Sequence, residues 1–360
     1  MTAGVDGPVA STLLDVDEVA VHFELRRGFR SKATVRAVDG VSFTLNHGET
    51  LALVGESGSG KSTIARAILR IEPLTSGQVR FEGRTLSELS HGDLRRARKH
   101  LQMVFQDPYG SLNPRRKIGA SVGEPLRIHG LGDVGARRQR VRELLELVGL
   151  ADDFAGRHPH ELSGGQRQRV AIAQALAPEP RLIVCDEPVS SLDVSVQAQI
   201  INLFRRLQED LGLAYLFIAH DLAVVRRIAH RVAVMYLGKV VETAQASAFY
   251  ERPLHPYSLA LLSAVPIPDA QLERQRQRII LRGELPSPTA LPSGCRFRTR
   301  CPWAQELCAE VEPPFRTVEP GRAVACHFFE SITAEVVRNI PTSAAPSGTN
   351  GGARAARQRR

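Results

Sequence analysis

Nine residues, GESGSGKST from Gly55 to Thr63, stand between a short apolar run, LALV (Leu51 to Val54), and a helix-prone stretch, IARAILRI. The pattern Gly-x-x-x-x-Gly-Lys-Ser/Thr between a strand and a helix suits phosphate. The backbone of Gly55, Glu56, Ser57, Gly58, Ser59 and Gly60 would curl so that successive N–H groups point inward at phosphate oxygens. The following helix adds its positive N-terminal end at Lys61, Ser62 and Thr63. Lys61 would reach the β- and γ-phosphates of ATP, and the Ser62 hydroxyl would hold Mg²⁺. A glycine-rich turn without chemistry would need neither the lysine nor this context.

Two carboxylates complete a hydrolytic set. RLIVCDEP places four apolar residues, Leu182 to Cys185, before Asp186 and Glu187. A strand apolar on both faces belongs in the middle of a parallel sheet, whose C-terminal edge is where ligands bind. Asp186 then faces the metal, while Glu187, one residue further, is placed to orient and deprotonate a water aimed at the γ-phosphate. A second apolar strand, AYLFIAH, ends at His220, whose imidazole would contact the γ-phosphate or hold the catalytic geometry. Cys185, inside its apolar strand, reads as a core thiol.

ELSGGQRQRVAIAQAL opens a second helix on Ser163, Gly164, Gly165 and Gln166. This is another anion-binding helix start. One nucleotide does not need two such cradles, so the second is expected to serve a nucleotide held by another chain, two chains enclosing two ATPs. Between these segments, Val141, Leu144, Leu145 and Val148 recur at helical spacing and predict an amphipathic helix.

Taken together, Gly55 to Ser62, Gln106, LSGGQ (Leu162 to Gln166), LIVCDE (Leu182 to Glu187), SLD (Ser191 to Asp193) and His220 resemble the full motif set of ABC-transporter ATPase subunits. The resemblance implies an α/β fold: a P-loop nucleotide-binding domain with a RecA-like parallel sheet, an antiparallel β subdomain and a helical subdomain. It implies that Gln106 touches Mg²⁺ and the attacking water and signals to membrane subunits. It also implies that Ser163 and Gly165 meet the partner's γ-phosphate, that Asp193 lies at the dimer interface, and that an aromatic, Phe23 or else Phe29, stacks on adenine. MVFQDPYGSLNPR, DEPVSSLDVSVQAQI and ERPLHPYSLALLSAVP further resemble the ATPase subunits of oligopeptide and dipeptide importers, whose relatives also move nickel. The expected partners are a second ATPase subunit, with a heterodimer favoured over a pair of copies, two transmembrane permease subunits and, indirectly, a substrate-binding protein, with no nucleic acid.

The chain has 360 residues, 43% hydrophobic and 24% charged. That suggests two domains, or one large α/β domain with an appendage. No apolar run approaches the ~18 residues of a membrane span, and the N-terminus lacks a secretion-signal pattern. The expected location is therefore peripheral, on the cytoplasmic face of the plasma membrane. A net charge of +9 invites a nucleic-acid reading, but Ser331 to Arg360 alone carries five Arg and one Glu. That segment reads as a disordered solubilising tail, with contact to anionic lipid or nucleic acid as the sharper alternative. A soluble ABC ATPase acting on ribosomes or DNA would ordinarily carry two cassettes or a long coiled coil, and neither is present here. The expected divisions are a flexible 1–12, an ATPase domain 13–248 with its helical part at about 107–165, a C-terminal domain 249–330, and the tail 331–360.

Four of the five cysteines, Cys295, Cys301, Cys308 and Cys326, follow a C-x5-C-x6-C-x17-C spacing. In a reducing cytoplasm disulfides are disfavoured, and without a C-x2-C pair neither a zinc ribbon nor a ferredoxin run is matched. Four thiolates still suit tetrahedral zinc or a [4Fe-4S] cluster, shielded by Pro302 and Trp303, with His327 as a substitute ligand; burial without metal stays open. Some importer ATPases with this tail pattern hold an iron–sulfur cluster, so the resemblance favours [4Fe-4S]. The cysteines would then staple a Pro-rich appendage with little core of its own.

Overall fold

The computed structural model describes residues 12–27, 31–107, 110, 112–266 and 278–337. Residues 1–11 and 338–360, and with them most of the expected flexible N-terminus and basic tail, lie outside the described residues. So does Phe29.

Two sheets carry the molecule. Strands β1 (Thr12–Arg27), β2 (Ser31–Asn46), β4 (Ser76–Phe81) and β5 (Arg84–Thr85) form an antiparallel sheet in the order β2-β1-β4-β5. The second sheet runs β11-β12-β10-β9-β3-β8-β7-β6. Its strands are β3 (Thr50–Val54), β6 (Leu101–Val104), β7 (Leu182–Asp186), β8 (Ala214–Ala219), β9 (Arg231–Tyr236), β10 (Lys239–Gln245), β11 (Arg316–Glu319) and β12 (Arg322–Val324). From β6 to β9 every pairing is parallel, and from β9 to β11 every pairing is antiparallel.

Every residue of β3, β7 and β8 is buried. These strands are apolar on alternate and intervening positions alike because both faces of the parallel sheet are covered. Helix Lys61–Ile68 turns Ile64, Ala65, Ala67 and Ile68 into the core shared with the antiparallel sheet. The predicted amphipathic helix spans Val134–Leu147. Asp133 caps it by accepting the Ala136 N–H at 2.8 Å, and Val141, Leu144, Leu145 and Val148 are all buried. With helices Ile118–Val122 and Glu124–Ile128 it forms the helical lobe.

The C-terminal extension does not stand apart as an appendage. Strand β12 pairs with β10 through Glu242↔Val324 and Thr243↔Ala323, so the extension lengthens the ATPase sheet. Phe297 packs on Tyr236 and Tyr257 inside the main core. Of the expected boundaries, 248/249 lies within helix Ala246–Glu251, 330/331 within helix Phe329–Val337, and 165 within helix Gly164–Leu176. An extension too small for its own core gains stability by sharing one.

His255 caps helix Pro256–Ser263 at this junction, its Nδ1 accepting the Tyr257 N–H at 3.0 Å. Burial pushes its imidazole down to about 3. An unfolded-chain histidine titrates near 6.5, so between these two values the unfolded chain binds the extra proton. Stability contributed by the neutral ring is therefore complete above about pH 6.5 and falls as pH drops toward 3, by up to about 1.4 kcal/mol per pH unit. His255→Asn keeps an acceptor for the Tyr257 N–H and is expected to flatten the fall in melting temperature between pH 7 and pH 4. Parallel melting profiles for parent and variant would count against this assignment.

Candidate active site

Strand β3 delivers the chain at Gly55, and the loop to Lys61 needs backbone that only glycine adopts freely. Gly60 has φ +104°, and a Cβ there would lie 2.1 Å from the Ala37 carbonyl oxygen. Lys61, at the head of the helix, is buried, and its Nζ donates to the Gly55 and Glu56 carbonyls at 2.8 Å each. Burial lowers the pKa of this ammonium, and the charges of Glu187, Asp186 and Glu56 oppose that shift. A cation held by loop carbonyls inside a partly dehydrated hollow is prepared to exchange them for phosphate oxygens.

The neighbouring strands bring the other polar groups to the same edge. The Ser62 hydroxyl donates to Asp186 Oδ1 at 2.8 Å. Burial raises the Asp186 carboxyl above its ordinary value, against the Ser62 hydrogen bond and the nearby Arg66 charge. Hydroxyl and carboxylate oxygens are the donors Mg²⁺ prefers, and Mg²⁺ draws the rest of its shell from water and substrate phosphates. The pair therefore fits that ion. When bound, Mg²⁺ would neutralise charge on the phosphates.

Glu187 follows β7 with φ +45°, a left-handed backbone that a non-glycine residue adopts only when its surroundings hold it there. Here the Glu187 N–H donates to the Ile218 carbonyl of β8 at 3.1 Å, and the Ser190 hydroxyl donates to the Glu187 carbonyl at 3.1 Å. Its Oε2 accepts from Gln106 Nε2 at 3.0 Å and lies 3.1 Å from His220 Nδ1. Gln106 comes from the end of β6 and His220 from the end of β8, so three adjacent parallel strands converge on one carboxylate oxygen. The predicted catalytic group of Gln106, Glu187 and His220 is thus brought together.

The second helix start is built as expected but elsewhere. Ser163 caps helix Gly164–Leu176 in a reciprocal box: its Oγ accepts the Gln166 N–H at 3.3 Å, and its N–H donates to Gln166 Oε1 at 2.9 Å. Ser163, Gly164, Gly165 and Gln166 make no hydrogen bond to the Lys61–Ser62–Asp186 group. Their neighbours are Leu192 and Val196, beside Asp193. Asp193 precedes helix Val194–Leu211 without capping it, and Val194 is 82% exposed. Phe23 lies on β1 opposite Val35 and is 36% exposed.

The four C-terminal cysteines line one small cavity with Phe297, Trp303 and His327. Burial pushes the Cys301 thiol up to about 12 and Cys326 to about 11, and raises Cys295 as well. His327 Nε2 donates to the Val311 carbonyl at 3.0 Å, so that nitrogen is engaged. Among the described residues no three His, Cys, Asp or Glu side chains are arranged to hold a metal ion. Neither the expected [4Fe-4S] ligand set nor the alternative zinc set is therefore shown as formed.

Two residues that spacing did not single out also reach the phosphate loop. The Tyr257 hydroxyl accepts the Glu56 N–H at 2.7 Å, and the Arg300 guanidinium grips the Glu56 carboxylate. Nothing in their local sequence marks them, because both arrive through long-range packing of the extension.

Comparison with known proteins agrees with this geometry. The ABC transporter family model matches residues 38–190, and the model for the oligopeptide/dipeptide transporter C-terminal region matches residues 241–308. The putative oligopeptide transport ATP-binding protein YkfD of Bacillus subtilis is 52% identical over 328 residues, covering 91% of this chain and 98% of that protein. The oligopeptide transport ATP-binding protein AppF of the same organism is 52% identical over 321 residues, covering 88% and 98%. Among solved structures, the dimeric post-hydrolysis state of the ATP-binding cassette MJ0796 bound to ADP and Pi superposes with a TM-score of 0.58 at 30% identity. It covers 65% of this chain and 98% of that one. CbiO1 from Clostridium perfringens gives 0.57 at 26%, covering 66% and 90%. With its polar sheet edge assembled and its extension matched along with its cassette, the chain belongs to the ABC transporter ATP-binding subunits of the oligopeptide/dipeptide type.

Proposed function

We infer that this chain is the ATP-hydrolysing motor of a peptide importer, working as one half of an ATPase dimer beneath two transmembrane permease subunits. The observation that carries the reading is the split between the two anion sites. Lys61, Ser62, Asp186, Glu187, Gln106 and His220 gather at one sheet edge, while the capped start at Ser163 sits apart beside exposed Asp193 and Val194. A second subunit, a copy or a paralogue, would bring its own Ser163 and Gly165 to complete the first site.

In the closed dimer Lys61 and the loop N–H groups would hold the phosphates, except the Glu56 N–H, which against expectation donates to the Tyr257 hydroxyl instead. Ser62, Asp186 and Gln106 would hold Mg²⁺, and Phe23 would stack on adenine. Glu187 would take the proton of the attacking water, with Gln106 and His220 fixing the orientation of its carboxylate. Opening after hydrolysis would be the mechanical output.

A groove of about 370 Å³ supports the docking of a membrane subunit. It runs past Phe105, Met103, Ile71 and Pro125, next to Gln106, and leaves Phe105 and Ile71 exposed. No helix among the described residues is long and apolar enough to cross a membrane, so attachment to the cytoplasmic face would come through such a partner. Tagging the chain in its native host and purifying it anaerobically from solubilised membranes tests the reading. Two polytopic subunits, a second ATPase and a substrate-binding protein should co-purify; ribosomal or DNA-repair proteins in their place would overturn it.

For the cysteines, a [4Fe-4S] cluster is favoured over zinc. The support is that the four thiols line one cavity and that in a four-iron cluster each thiolate would meet a different iron. The same anaerobic preparation should contain about four iron and four sulfide per chain, lost in Cys301→Ser. A preparation free of iron and sulfide would rule the cluster out.

A further inference from the structure

Glu56, the second residue of the phosphate loop, is held from outside the cassette. Arg300 Nη1 and Nη2 donate to its Oε2 and Oε1 at 2.7 and 3.2 Å, a two-pronged pair whose arginine side chain is only 10% exposed. The Glu56 N–H is committed to the Tyr257 hydroxyl at 2.7 Å. Both holders belong to the C-terminal extension. The direction of Arg300 is fixed by its turn: the Arg298 N–H donates to the Cys295 carbonyl at 3.1 Å and the Arg300 N–H to the Phe297 carbonyl at 3.0 Å. Phe297 itself is wedged between Tyr236 and Tyr257, with ring centroids 5.2 and 5.4 Å away.

The charge on Glu56 matters for a loop that receives phosphates. It is close enough to act on the Lys61 ammonium, and a carboxylate near the lysine is near the anion the lysine would bind. Left unpaired, it would repel the triphosphate. Paired by a fixed guanidinium fork, its charge is cancelled and its carboxylate is held against Arg300.

We propose that Arg300 is a positioning residue for ATP binding: by neutralising and orienting Glu56, it lets the cysteine-bearing extension set the affinity of the phosphate loop for the nucleotide. The proposal rests on the reading that Gly55 to Thr63 hold the phosphates. A purely structural arginine would affect folding and turnover together. An arginine acting through the Glu56 charge would affect nucleotide affinity alone and could be bypassed by removing that charge.

The test uses the full chain, equilibrium binding of a fluorescent ATP analogue with Mg²⁺, and steady-state ATPase kinetics. Arg300→Ala is expected to weaken binding and raise KM about tenfold, the scale of one charge-assisted hydrogen bond, with kcat within about twofold. Adding Glu56→Gln to Arg300→Ala should restore affinity to within about twofold of Glu56→Gln alone. Arg300→Lys, which keeps the charge and loses the fork, should fall between parent and alanine variant. It carries the test if the alanine variant does not fold. Unchanged affinity in Arg300→Ala, or in Arg300→Lys when that variant stands alone, overturns the proposal, as does a double variant as weak as the single. Lys61→Ala separates the two levels: if it loses binding while Arg300→Ala does not, the site reading stands and this proposal falls. If it binds normally, the site reading itself fails.

Discussion

Glu187→Gln is expected to lower ATP hydrolysis by about 10² to 10⁴-fold, the range for removing a positioned general base, while nucleotide binding persists. The amide keeps the size and planarity of the carboxylate and can still accept from Gln106 Nε2, now 3.0 Å from Oε2. Its neutral carbonyl cannot take a proton from water. The left-handed backbone at this position is held by main-chain hydrogen bonds to Ile218 and Ser190, which the substitution leaves in place. The dimer should therefore close around ATP and fail to reopen. Multiple-turnover phosphate release would measure the first effect, and a shift to dimer on size-exclusion chromatography with ATP the second. Hydrolysis at the parental rate would remove Glu187 from the catalytic role and leave the base to be sought elsewhere.

Lys61→Ala acts one step earlier. Its ammonium makes two 2.8 Å hydrogen bonds to loop carbonyls, and in the bound state these would pass to phosphate oxygens. Charge-assisted hydrogen bonds contribute about 1.5 to 3 kcal/mol each, so losing two corresponds to a drop in affinity on the order of 100-fold or more. Part of that is offset because alanine avoids the burial cost that lowers the lysine pKa. The expected result is no saturable ATP binding at concentrations that saturate the parent, with a melting temperature close to the parent's in the absence of nucleotide. Binding within a few-fold of the parent would mean that the phosphates lie elsewhere. The two variants differ in kind: Glu187→Gln traps ATP, and Lys61→Ala never receives it.

The sequence alone determined the chemistry of the edge and the strands that carry it. The phosphate loop, the carboxylates after LIVC and the histidine after AYLFIA were legible because each depends on local rules: glycines where backbone must curl, uniformly apolar strands where a sheet is covered on both faces, and polar residues just past the strand ends. The Val141 to Val148 helix was legible through its period, and the helix start at Ser163 through its glycines, while the reciprocal Ser163–Gln166 box came from the structure.

What spacing could not specify is how segments far apart in the chain meet. Only the tertiary structure placed Gln106, Glu187 and His220 around one oxygen, since each stands at the end of a different strand. Only it showed that β12 joins β10 and that Phe297 enters the main core, so that the supposed appendage became part of the ATPase sheet. Arg300 and Tyr257 reached Glu56 for the same reason, across 244 and 201 residues of chain. The cysteine spacing announced four donors, but whether they meet, and at what separation, was decided by the fold. They gather at one cavity because the turn holding Cys295 and Cys301, the short helix holding Cys308 and the segment after β12 holding Cys326 all contribute to its wall, together with Trp303 and His327. Local patterns fix which groups are available; burial and long-range pairing fix which of them touch.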